Sequence, residues 1–123
     1  MASALAYIAA AITGVWGVLH VVPTAKVVRG FAPITRDNHY VILQEWVAEA
    51  ITMWGIAALV ISVTGAGTGQ SAAVAAYGVS ASVLVALGTL TALTGARTGV
   101  IWFKLCPLLL GASAVLLIAA ALA

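Results

Sequence analysis

The sequence predicts an all-α integral membrane protein, a four-helix bundle with N- and C-termini outside and a short interfacial helix between helices one and two. Three observations predict it. Sixty-four per cent of the residues are hydrophobic and only 7% are charged, against about 25% charge in soluble domains, so the chain cannot cover itself with polar surface. Side-chain charges are absent from residues 1–25, 50–96 and 105–123. The middle stretch is longer than the about 20 residues that cross roughly 30 Å of hydrocarbon, and Gly65-Ala66-Gly67-Thr68-Gly69-Gln70 divides it. A single transmembrane domain over residues 1–123 follows, with helices at about 3–22, 38–64, 71–94 and 101–123.

Helix one has no basic start and ends in His20 rather than a cleavage site, so it reads as structure and not as a signal peptide. Thr13, Trp16 and His20 share one of its faces at helical spacing. In the 23–37 connection, Thr24 is expected to cap a short helix that lies on the membrane surface. Lys26 and Arg29 share its polar side, Val27, Val28 and Phe31 turn toward lipid, Gly30 closes it and Pro33 prevents its continuation. Asp37 then suits the N-cap of helix two, where its charge meets the positive helix end.

Helices in lipid gain from close approach at small residues. Thr13 and Gly17 offer this on helix one, Gly78 and Ser82 on helix three, and Gly111, Ala112, Ser113 and Ala114 on helix four. Pro107 is expected near the first turn of helix four, where its missing N–H does little harm. Cys106 reads as a small packing residue. As a lone cysteine it excludes an internal disulfide and a cysteine metal cluster.

Lys26, Arg29 and Arg36 lie between helices one and two, Arg97 and Lys104 between helices three and four, and the 65–70 loop has no basic residue. The positive-inside rule puts both basic loops in the cytoplasm. Tyr40 and Trp102 fall where interfacial aromatics belong, and His39 reads as a solvated interfacial residue. The few, scattered basic residues give no nucleic-acid signal, and no metal or cofactor is expected. Membrane lipid surrounds the chain, and a homo-oligomer is compatible with the sequence.

Two of the three acids lie inside helix two. With the interface near Tyr40, Glu45 sits roughly 7 Å deep and Glu49 roughly 13 Å deep, at about 1.5 Å per residue. The two lie about 40° apart around the axis, with Asn38 and Thr52 on the same face. A carboxylate at the bilayer centre costs at least about 2.5 kcal/mol, so this face is expected to look into the bundle or a wet cavity. The short connection makes helices one and two antiparallel neighbours, which brings His20 near the level of Glu45. Trp46 flanks the face, and Trp54 points nearly opposite. Helix three adds Tyr77 and Ser80, with Tyr77 toward the outer half.

Two nearby carboxylates in a dry pocket do not both ionise easily. One is then expected to keep its proton near neutral pH while the other ionises with help from His20, the arrangement general acid–base chemistry needs. Glu49 is the expected deep acid, with Glu45 and His20 tuning it, returning its proton or acting as base. Trp16, Trp46, Thr13, Thr52, Asn38 and Tyr77 are the candidate substrate-binding residues, the aromatic faces suited to a carbocation. This predicts an enzyme acting on an apolar, isoprenoid-like small molecule by protonating an epoxide or alkene, or by moving a double bond. A proton-coupled exporter using Glu49, a quinone- or haem-associated subunit with His20 as ligand, and a purely structural polar cluster fastening helix one to helix two are the alternatives.

The pattern His20-Val21-Val22-Pro23, then Asp37-Asn38, then Glu45-Trp46-Val47-Ala48-Glu49 resembles a group of small four-helix bacterial membrane proteins. More loosely, it is similar to the membrane-bound terpene cyclases of bacterial indole-sesquiterpene pathways. The resemblance covers about residues 14–56. It implies a bacterial inner (plasma) membrane location and acid-initiated cyclisation of an epoxidised prenyl chain.

Overall fold

The computed structural model describes residues 1–31 and 33–123. Its helices are α1 (Ala2–Val21), α2 (Thr24–Arg29), α3 (Arg36–Gly65), α4 (Gln70–Leu93) and α5 (Ile101–Leu122), with a 3-10 turn over Gly95–Arg97. Helices α1, α3, α4 and α5 are long and apolar enough to cross a membrane. They form the four-helix bundle that composition and charge spacing predict, each end falling within two residues of its expected place.

The caps differ from expectation. Thr35, not Asp37, caps α3: its hydroxyl accepts from the Asn38 N–H at 3.2 Å. Asp37 lies in the first turn, where a carboxylate still meets the helix dipole. Pro23 is the N-cap of α2, and the Thr24 hydroxyl donates back to the Val21 carbonyl instead of capping. Gly30 closes α2. Val28 is buried rather than turned to lipid, while Phe31 is exposed. The reason is that α2 folds back against α3, so one apolar side of α2 is covered.

Helix α1 packs on both α3 and α5, and α5 packs on α4. Helices α3 and α4, though joined by the shortest loop between spanning helices, touch much less. Their link is at the glycine loop, where the Thr64 hydroxyl and the Tyr77 phenol lie 2.7 Å apart. Small residues permit the tight pairs. A Cβ on Gly17 would stand 2.7 Å from Trp54 Nε1 and 3.3 Å from Met53 Cβ, and one on Gly88 would stand 3.6 Å from the Pro107 carbonyl oxygen. Trp54 thus meets a neighbour, α1, and its indole N–H donates to the Gly14 carbonyl at 3.2 Å.

Gly78, Ser82 and Ala112 are exposed and do not serve as packing positions. The small residues that do are Ser80, Ala81 and Gly88 on α4 and Ser113 and Ala114 on α5. Pro107 lies in the second turn of α5 rather than the first, so the Phe103 carbonyl has no amide donor four residues on. The core between these faces holds Ala6, Ala9, Met53, Val60, Leu84, Leu110 and Leu117.

Candidate functional site

His20 ends the buried stripe of α1 that runs through Thr13 and Trp16. Glu49 ends the corresponding stripe of α3, which continues through Met53, Ile56 and Val60 at helical spacing. Because α1 and α3 are antiparallel neighbours, the two stripes bring His20 and Glu49 to the same level. His20 Nε2 lies 3.6 Å from Glu49 Oε2, an ion-pair distance too long for a hydrogen bond. His20 Nε2 and Glu49 Oε1 are both buried with no hydrogen-bond partner. Glu49 nonetheless keeps 25% of its side chain exposed, although its Oε1 is sealed.

Aromatic rings gather on the His20 side of the pair. Trp46 stacks on His20 with ring centroids 4.0 Å apart and planes inclined by 18°. Its indole N–H donates to the His20 carbonyl at 3.0 Å. Phe103 from α5 meets Trp46 edge-on at 5.6 Å. Trp16, buried in α1, points its Nε1 toward the Cys106 thiol without making a well-formed hydrogen bond. The thiol in turn lies 4.0 Å from the Thr91 hydroxyl. Helices α1, α3, α4 and α5 therefore all contribute to this end of the bundle.

The other expected site residues lie apart from the pair. Glu45 is exposed and does not share an enclosed face with Glu49. Helix α1 covers the side of α3 that carries Trp46, Ala50, Met53 and Ala57, and α4 meets α3 only weakly, so among the described residues the Glu45 side is left open. Thr52 lies on that same open side, with its hydroxyl bonded to the Ala48 carbonyl at 2.9 Å. Asn38 is exposed in the first turn of α3. Tyr77 is buried but pairs with Thr64, and Thr64 is about 22 Å along α3 from Glu49. Thr13 is buried without a partner, two turns of α1 from His20. His39 is exposed, against the edge of the Tyr40 ring.

Sequence reasoning did not single out Phe103 or Thr91, and it gave Cys106 packing alone. Phe103 and Cys106 are three residues apart on α5, a same-face spacing. Nothing in the sequence says that this face meets Trp46 and Trp16.

Two grooves lie at this end of the bundle, outside the pair. One, of about 540 Å³, runs between Arg29 and Arg36 and is bordered by Val28, Ile34 and Tyr40. The other, of about 610 Å³, is bordered by Val21, Val22, Thr24 and Leu43. Neither is lined by Glu49. Among the described residues, no three His, Cys, Asp or Glu side chains gather closely enough to hold a metal ion.

Comparison with protein-family models, curated proteins and solved structures gives no match to this chain.

Proposed function

We propose that this chain is an intramembrane acid–base enzyme acting on an apolar, isoprenoid-like substrate. The observation that carries the reading is the His20–Glu49 pair: an imidazole and a carboxyl 3.6 Å apart, each with a buried unpartnered atom, inside helices long enough to span a bilayer. Ionisable groups buried between membrane-spanning helices are costly and mark functional sites.

Glu49 gives its proton to an epoxide oxygen or an alkene carbon. Epoxide protonation breaks a C–O bond and leaves a carbocation, a charge that the electron-rich aromatic rings at this end of the bundle stabilise. Ring closure or a hydride-free double-bond shift moves the charge, and loss of a proton from carbon to His20 or back to Glu49 ends the reaction. The proton count is unchanged over the cycle. The partial exposure of Glu49 suits a substrate that arrives from lipid. Glu45 has no part in this mechanism, because it stands apart from the pair.

We place the chain in a bacterial plasma membrane with both basic loops cytoplasmic. Supporting this, the 23–35 and 94–100 connections, which carry or adjoin Lys26, Arg29, Arg36, Arg97 and Lys104, lie at one end of the antiparallel bundle.

The test compares lipid extracts of cells expressing the wild type and Glu49→Gln. A product present with wild type and absent with the folded variant supports the reading. Equal product from both removes Glu49 as the proton donor.

The open Glu45–Thr52 side of α3 favours a second reading, a dimeric proton-coupled exporter in which that face meets a second copy. Drug resistance on expression, lost in Glu49→Gln with no change in the lipid extract, selects this reading over the first.

A further inference from the structure

Hydroxyls in membrane helices normally bond to the carbonyl four residues back. Thr52, Thr64, Ser82, Thr91 and Thr94 all do so here. Thr13, Ser80 and Ser113 do not: they are 1%, 2% and 0% exposed, and their oxygens have no partner. Trp16 Nε1, Glu49 Oε1 and His20 Nε2 share that condition. A buried polar atom left unpaired costs about 1–3 kcal/mol, and lipid offers it nothing.

The registers of the helices set these groups in a line. Beginning at the glycine loop, the Thr64–Tyr77 pair comes first. Ser80 follows one turn of α4 inward. Gly88 faces Pro107 and Leu110, and Thr91 faces Cys106, which sets Ser113 near Leu84, a further turn inward. Trp16 lies beside Cys106, and α1 runs antiparallel to α5, so Thr13 comes a turn beyond Ser113. Trp16 and Cys106 follow, then Glu49 and His20. Successive groups differ in level by about one helical turn, roughly 5 Å, and a buried water serves polar groups of this kind with two to four hydrogen bonds.

We propose that water threads this column and gives Glu49 a proton route to the glycine-loop end of the bundle. Each water or hydroxyl oxygen takes a proton on one side and releases one on the other, so no net bond is made or broken along the route; Trp16, whose indole N–H only donates, holds a water beside the route and passes no proton. The inference rests on the acid–base reading only for what Glu49 does with the proton; the column stands on the unpartnered atoms and their order.

The test is water-edited solid-state NMR on the protein in lipid bilayers. Water magnetisation is expected to reach Thr13, Ser80 and Ser113 as fast as it reaches Glu49. It should reach Leu84 and Leu110, fully buried at the same levels, several-fold more slowly. Hydroxyl residues that lag with the leucines overturn the proposal. The proton route has its own readout, the infrared carboxyl band of Glu49 at acid pH, assigned by its loss in Glu49→Gln. On transfer to D₂O this band should exchange several-fold more slowly in Ser113→Ala than in wild type, and equal rates overturn the route. Failure of the column leaves the product test of Glu49→Gln untouched, and failure of that product test leaves the NMR result standing.

Discussion

Trp46 holds His20 in two ways at once. Its ring stacks on the imidazole at 4.0 Å, and its N–H donates to the backbone carbonyl of the same residue at 3.0 Å. The stack orients the imidazole, and the hydrogen bond ties the end of α1 to α3. Trp46→Phe keeps an aromatic face and deletes the N–H. An interhelical hydrogen bond in a membrane is worth about 0.6–2 kcal/mol, so unfolding by detergent titration should show a loss of that size. Trp46→Ala removes the stack as well and should lose more. If the two variants unfold alike, the ring face contributes nothing to the junction.

The spans, the connection and the pairing of α1 with α3 were legible because charge and hydropathy alone decide them. The same logic turned Glu49 inward and set His20 against helix two, but at the level of Glu45, about one turn from Glu49, which His20 meets. It failed for Glu45, only about 40° round the helix from Glu49. Whether those degrees lie inside or outside depends on where α4 stands, and α4 is held by α5 rather than by α3. Gly88 and Pro107 set that pairing, and their contact spans two helices, which no local pattern encodes. Phe103 and Cys106 were missed for the same reason. The Thr35 cap was missed because Asp37 also satisfies the local rule, and only the backbone path out of Pro33 selects between them.

Gly17 fixes the approach of α1 to α3. Any Cβ there meets the Trp54 ring at 2.7–2.9 Å as well as Met53 Cβ at 3.3 Å. The indole would have to swing away and give up the Gly14 carbonyl. Overpacking of this kind costs about 1–3 kcal/mol. Gly17→Ala should therefore lower stability by that order in detergent unfolding. Gly78→Ala is the control: a Cβ at Gly78 meets nothing within 4 Å, and no loss is expected. Equal stability of both variants would show that the helices separate freely at Gly17.

Thr35 and Asp37 compete for the start of α3, and their substitution separates capping from charge. Thr35→Ala removes the acceptor of the Asn38 N–H and should cost about 0.5–2 kcal/mol. Asp37→Asn leaves that bond intact and removes only the dipole interaction, about 0.3–1 kcal/mol at low salt. Raising ionic strength should shrink the Asp37→Asn effect and leave that of Thr35→Ala in place. Amide hydrogen exchange at Asn38 reads the difference directly: it should rise in Thr35→Ala and stay low in Asp37→Asn.

Glu49→Asp asks whether the carboxyl acts by its chemistry alone or by its position. The variant keeps the acid and shortens the side chain by one methylene, drawing it back from His20, which already stands 3.6 Å away. A displacement of about 1 Å at a reacting group costs on the order of 10²-fold in rate. Product formation in cells expressing Glu49→Asp should fall by that order while the variant folds as wild type does, since the sealed oxygen of Glu49 has no hydrogen bond to lose. Full product from Glu49→Asp would mean that the reacting atom is not fixed relative to His20 and that the carboxyl acts without the imidazole beside it.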